Sequence, residues 1–137
     1  GPVHPLLALM PQQWHQLSLG DYWMTRVTAL PEAIASRGWP AGLETSFTLE
    51  LDDPLVPAHA GTWMIEVSGG EGRARRPTRV DEGAGIRTGP RGLAAIYTGF
   101  YSPRQAKMLG LLEGPDEALA RAEAAFAGTT PWMSEMF

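Results

Sequence analysis

Cysteine is absent from the 137 residues. That excludes a disulfide framework, a thiolate-held zinc and a cysteine nucleophile together. No apolar run approaches the roughly 20 residues a membrane span needs. The opening GPVHPLLALM has neither the basic stretch nor the cleavage site of a secretory signal. The expected compartment is therefore the cytoplasm, with no membrane partner. Positive charge is also scarce: fifteen acids against eleven bases give a net charge of −4, which repels nucleic acid unless the basic groups are segregated. What is present, 44% hydrophobic and 19% charged residues, is the composition of an ordinary globular protein. A chain of this length holds one core with a radius of gyration of about 14 Å.

The bases are partly segregated. Between Glu71 and Arg91 lie Arg73, Arg75, Arg76, Arg79, Arg87 and Arg91 against three acids, Glu71, Asp81 and Glu82. No aromatic residue interleaves them as a single-strand stacking platform requires, so a solvated hairpin is expected and no nucleic-acid partner. The chain opens on Gly1 and Pro2 instead of Met, which predicts a piece cut from a longer polypeptide.

Pro2, Pro5, Pro11 and Gly20 punctuate the first stretch, so residues 1–21 read as a connector left from a preceding region, and 22–137 as the folded domain. Tyr22 to Thr28 is rich in strand formers, and Leu30, Pro31 and Glu32 then open a short helix that Gly38 can close. ETSFTLEL (44–51) alternates, with Thr45, Phe47, Leu49 and Leu51 on one face. TWMIEVS repeats the pattern through Trp63, Ile65 and Val67, and SGGEG turns it into ARRPTRV. Pro77 makes that run an edge or bulged strand, and IRT at 86–88 is a possible fifth strand.

Helical signals follow. Pro90 precedes LAAIY and Gly99 follows it. Ser102, Pro103 and Gln105 form a capping box. A third helix runs from Pro115 to Ala127, with Asp116 and Glu117 in its first turn, Gly128 as a left-handed cap, and Leu119, Ala122 and Phe126 on one stripe. Strands first and helices afterwards predict an α+β fold: a mostly antiparallel sheet of about five strands with helices packed on one face.

Familiar catalytic signatures fail on inspection. His4, His15 and His59 have no metal-ligand spacing, so no metal site is expected. Ser68, in EVSGG, lacks the glycine two residues earlier that a nucleophile elbow needs. RVDEGAG places three residues between Arg79 and Gly83, with Asp81 and Glu82 set to repel phosphate.

Four blocks remain: MTRVTALPEAIASRGWP, LELDDPLVPAHAGTWMIEVSGGEG, GLAAIYTGFYSPRQAKMLGLLEG and FAGTTPWMSEMF. Together they resemble the C-terminal, sterol-carrier-protein-like domain of the enhanced intracellular survival family of GNAT-type N-acetyltransferases. The resemblance implies a parent chain with N-terminal GNAT domains that bind acetyl-coenzyme A, the co-substrate, while this domain itself carries no cofactor. It implies a small-molecule amine acceptor, an aminoglycoside in some members, and a homo-oligomer, commonly a hexamer. It also implies that the terminal carboxylate of Phe137 reaches the active site as general base, its partner tyrosine acid lying in the preceding domains. The alternative is a free-standing module that binds an apolar or lipid ligand, as sterol carrier proteins do.

The tail's chemistry suits that role. The nine residues after Gly128 extend at most about 30 Å, and Trp132, Met133, Met136 and Phe137 are apolar enough to seat in a groove. An α-carboxyl titrates near 3.5, so it accepts a proton at neutral pH only if desolvation raises that value. Glu135 and Trp132 are the substrate-binding candidates, Glu135 for its attraction to a cationic amine. Trp14, Trp23, Trp39 and Trp63 are expected in core or interdomain surface.

Overall fold

In the computed structural model, which describes residues 24–79 and 83–128, the alternating segments pair as their faces require. Strand β1 (Thr45–Leu51) runs antiparallel to β2 (Gly61–Ser68), with Phe47 opposite Ile65 and Leu49 opposite Trp63. This register puts Phe47, Leu49, Leu51, Trp63, Ile65 and Val67 on one face, as a period of two demands, and leaves Met64 on the other. Gly69 and Gly70 have φ of +60° and +84°, the conformation of a two-residue hairpin turn whose twist matches the strands it joins. They lead into β3 (Glu71–Arg75).

The chain then crosses to the far side of β1. Strand β4 (Ile86–Thr88) lies parallel to β1, and β5 (Leu112–Glu113) is antiparallel to β4, giving the order β3-β2-β1-β4-β5. The fold is α+β, with one parallel pair in an otherwise antiparallel sheet.

Four helices cover the apolar face. Helix α1 (Leu30–Ser36) buries Leu30 and Ile34, one turn apart, against β3. Helix α2 (Pro90–Thr98) buries Leu93 and Ile96 and ends at Gly99 with φ +77°. Helix α3 (Pro103–Met108) starts on the expected capping box: Ser102 Oγ accepts from the Gln105 amide at 3.4 Å, and Gln105 Oε1 accepts from the Ser102 amide at 2.9 Å. Helix α4 (Asp116–Phe126) lays Leu119, Ala122 and Phe126 on β1. The space between the layers is filled: Leu49, Ile65, Ile86, Leu93, Ile96 and Leu119 are each at most 1% exposed.

The opposite face is a ladder of charges. Glu66 pairs with Arg75 at 2.7 Å, and Glu50 with Arg87 at 3.2 Å. No helix among the described residues is long and apolar enough to cross a membrane.

Three expectations need correction. Of the strand expected at 22–28, the described residues Met24 to Thr28 form none; Met24 is 99% exposed, only Val27 of these five is buried, and no described strand pairs with them. IRT at 86–88 is a strand as expected, but it is the fourth, and the fifth is Leu112–Glu113, whose two residues are too short to show alternation. Strand β3 begins at Glu71 and stops before Pro77, which has no amide hydrogen to donate to a ladder.

Candidate functional site

Trp132, Glu135 and Phe137 lie outside the described residues, as do His4, His15, Trp14 and Trp23. The described structure holds the base from which the tail departs. Helix α4 ends at Phe126, and Ala127 turns away at φ −54° and ψ 133°. Gly128 is not left-handed, so the expected glycine cap is not used. A side chain from elsewhere serves the helix end.

That side chain is Arg37, which directly follows α1. Its Nη2 donates to the Phe126 carbonyl at 3.4 Å, its Nε to the Tyr97 carbonyl of α2 at 3.2 Å, and its Nη1 to the Gly38 carbonyl at 3.3 Å. The guanidinium also lies 4.7 Å from the centre of the Trp39 ring and 5.2 Å from that of Phe126. Burial lowers its pKa from the ordinary value, yet arginine stays charged in proteins. A cation at the negative end of a helix dipole is favourable, and here two helix ends share one.

The aromatic bed beneath Arg37 is locked in turn. Trp39 and Phe126 sit 5.3 Å apart at 55°, and Phe47 meets Phe126 edge-on at 6.0 Å. The Trp39 indole donates to the Ile34 carbonyl at 2.8 Å. Gly72 makes room for it, since a Cβ at that position lies 2.2 Å from Trp39 Nε1. The Tyr97 hydroxyl donates to the Ala33 carbonyl at 3.0 Å, tying α2 to α1. Trp39 and Trp63 are both buried, as expected of them.

A second polar cluster organises the loop from 52 to 60. Asp53 Oδ1 accepts from Arg26 at 2.5 Å and from the amides of Leu55 at 3.1 Å and Val56 at 3.0 Å. Burial pushes the Asp53 carboxyl up, but the Val56 amide, the Arg26 charge and the Leu55 amide together hold it below the usual carboxylate range. Across from it, 4.0 Å from Oδ2, is the buried Nδ1 of His59, which has no hydrogen-bond partner among the described residues. Trp63 Nε1 donates to the His59 carbonyl at 2.7 Å, and Arg76 covers the Trp63 ring at 3.7 Å.

The remaining candidates resolve simply. Arg75 and Arg87 pair across strands, and Arg76 donates to the Thr62 and Ala58 carbonyls at 3.1 and 2.9 Å. Arg75, Arg76 and Arg87 are thus engaged within the fold, while the Arg73 side chain is 80% exposed and 3.8 Å from Glu71. The hydrogen bond from Arg75 holds Glu66 below the usual carboxylate range. Ser68 Oγ donates to Glu44 at 2.9 Å beside the hairpin turn, a turn residue as read from sequence. Gly83 and Gly85 lead into β4 and not into a helix, and residues 80–82 of the same run lie outside the described residues. An open depression of about 470 Å³ is lined by Glu44, Thr45, Ser46, Glu66, Val67, Ser68 and Arg121. Its walls are mainly polar. No group of three metal-ligating side chains occurs among the described residues.

Sequence reasoning missed Arg37 and Asp53. Asp53 had a local signal, since an aspartate just before a proline accepts from the amides two and three residues on. Arg37 had none, because its partners Tyr97 and Phe126 lie 60 and 89 positions away.

The family described as "Sterol carrier protein domain" matches residues 30–134. Among solved structures, a GCN5-related N-acetyltransferase from Kribbella flavida is 34% identical over 82% of this chain and 28% of its own, with a TM-score of 0.75. One from Anabaena variabilis is 30% identical over 98% of this chain and 34% of its own, at a TM-score of 0.89. Eis1 from Mycobacterium abscessus shares the fold, at 24% identity over 79% of this chain and 26% of its own, with a TM-score of 0.61. The chain spans only a quarter to a third of these structures. No curated protein matches it.

Proposed function

Because the chain belongs to the sterol carrier protein domain family, and its fold recurs as one portion of N-acetyltransferases, we propose that it is the C-terminal accessory domain of an acetyl-coenzyme A-dependent N-acetyltransferase of the enhanced intracellular survival type. It is silent alone and completes an active site carried by N-terminal GNAT domains of the same longer chain. The acceptor is a small-molecule amine, an aminoglycoside being one candidate. The full-length assembly is a homo-oligomer, a hexamer by family resemblance, working in the cytoplasm.

In this reading the amine nitrogen attacks the thioester carbonyl of acetyl-coenzyme A, and the Phe137 carboxylate takes the proton that nitrogen loses. The carbon–nitrogen bond forms, the carbon–sulfur bond breaks, and a tyrosine of the preceding domains protonates the departing thiolate. A carboxylate suits the base role only where desolvation raises its affinity for a proton, so the mechanism requires the apolar tail, with its Phe137 ring, to be buried. Glu135 adds negative charge toward a cationic acceptor, and Trp132 a face for it to rest on.

The observation that carries the reading is the match to the Anabaena enzyme, a TM-score of 0.89 over 98% of this chain at 30% identity. The interior supports it over a lipid carrier, since tightly buried side chains fill the space between sheet and helices. The test is deletion of Phe137, or a short C-terminal extension, in the full-length enzyme. Turnover falls by orders of magnitude if the carboxylate is the base; unchanged turnover removes the role. A saturable fatty-acyl probe on the 137-residue chain is the outcome that favours a carrier instead.

A further inference from the structure

We infer that Leu55 and Met24 form a docking surface for the preceding domains of the same longer chain, held ready by the tie between Arg26 and Asp53. The inference rests on the reading above for the existence of those domains, and not on the role of Phe137. Its own support is that two large apolar side chains stand in water on segments that are firmly held. Leu55 is 78% exposed, Met24 stands clear of the surface, and neither belongs to the core.

The loop that carries Leu55 is built to keep its shape. Asp53 beneath it is buried, and its Oδ1 accepts from the amides of Leu55 and Val56. The Asp52 amide donates to the Thr88 carbonyl at 3.0 Å, the His59 amide to the Val56 carbonyl at 2.9 Å, and the Ala60 amide to the Pro57 carbonyl at 3.1 Å. Pro54 and Pro57 fix two backbone angles more. A side chain offered from such a loop gives up little backbone freedom on being seated, so its burial counts almost in full.

The occupant follows from where the chain enters. Whatever precedes Met24 reaches the described fold at this point, and Arg26, two residues on, fastens it to the same Asp53 oxygen that holds Leu55. This chain is matched over 98% of its length to only 34% of the Anabaena structure, so such relatives carry further chain that must meet this domain somewhere. Size then decides between a neighbour in the same chain and a second copy. Two side chains offer at most a few hundred Å², against the roughly 1,200 Å² that separate molecules need for stable association. A neighbour tethered through Arg26 has an effective concentration on the order of millimolar, at which a small apolar contact suffices. The fitting partner is an apolar hollow on the adjoining domain.

The experiment compares hydrogen exchange of the loop amides from Leu55 to Ala60 in the full-length enzyme and in the 137-residue chain. Exchange about tenfold slower in the full-length enzyme is expected, because a seated loop opens less often. Leu55→Lys or Met24→Lys in the full-length enzyme should return the rates to within about twofold of those in the 137-residue chain. Met108→Lys, at an equally exposed site on α3, should leave the slow exchange in place. Circular dichroism of the 137-residue chain checks the fold of each variant. Equal rates in the two proteins overturn the inference, as does slow exchange that survives both Leu55→Lys and Met24→Lys. Protection in the 137-residue chain that grows with its concentration places a second copy on the surface and overturns it too. If the slow exchange and its loss are found while Phe137 deletion is harmless, the base role fails and this surface stands.

Discussion

Arg26 reaches 27 positions along the chain to Asp53, and the two meet at 2.5 Å with the aspartate side chain almost wholly enclosed. The pair joins the segment leading into α1 to the loop between β1 and β2. The same carboxylate oxygen accepts from the Leu55 and Val56 amides, so one atom holds two segments and the turn between them.

The Asp53 carboxyl is held below its ordinary range, so the folded state favours its ionised form. The stability it contributes is full above the unfolded value of about 3.9 and is lost as pH falls through the lower folded value. Asp53→Asn should therefore be less stable than wild type at neutral pH and lose less on acidification. Urea unfolding between about pH 7 and pH 3 measures both slopes; parallel slopes contradict the assignment.

Gly72→Ala should damage the core far more than a glycine-to-alanine change usually does. The new Cβ meets Trp39 Nε1 at 2.2 Å and the Ile34 carbonyl at 2.9 Å, so the indole must move and lose its hydrogen bond to Ile34. A loss of about 2–3 kcal/mol is expected, with a red shift in tryptophan emission. A variant as stable as wild type shows that the indole has room to spare.

The capping box on α3 predicts a smaller and local cost. Ser102→Ala removes the acceptor for the Gln105 amide and should destabilise by about 1 kcal/mol. Amide exchange should quicken in the first turn of α3 and not in the sheet. Exchange that quickens everywhere at once points to a helix coupled to global unfolding.

Two substitutions on the same sheet should differ in scale. Ile65→Ala empties a fully buried site and should cost about 2–5 kcal/mol. Glu50→Gln breaks an exposed pair with Arg87 and should change stability by less than about 1 kcal/mol. Equal costs overturn the division into one load of apolar packing and one solvated face.

Where a physical cause acted locally, it could be read from the residues themselves. The alternation of 44–51, the paired glycines after Ser68, the capping box at Ser102 and the bounding of α2 by Pro90 and Gly99 each correspond to an observed element. Misreadings arose where a distant partner decided the outcome. The strand formers of Met24 to Thr28 found no strand to pair with, while Leu112 and Glu113 found one at β4. Gly128 is not left-handed, while Arg37 from the end of α1 donates to the Phe126 carbonyl. Of the candidate site, sequence could suggest the tail by resemblance; the clamp at its root is a product of tertiary packing.

The brevity of β5 has a consequence for assembly. With two residues at one margin of the sheet, and the charged Glu71, Arg73 and Arg75 along the other, neither border among the described residues offers a long, flat row of free amides and carbonyls on which a foreign strand can zip. Association of this domain, with itself or with anything else, is thereby steered toward side-chain surfaces, where shape and charge discriminate between partners, and away from backbone pairing, which accepts nearly any sequence.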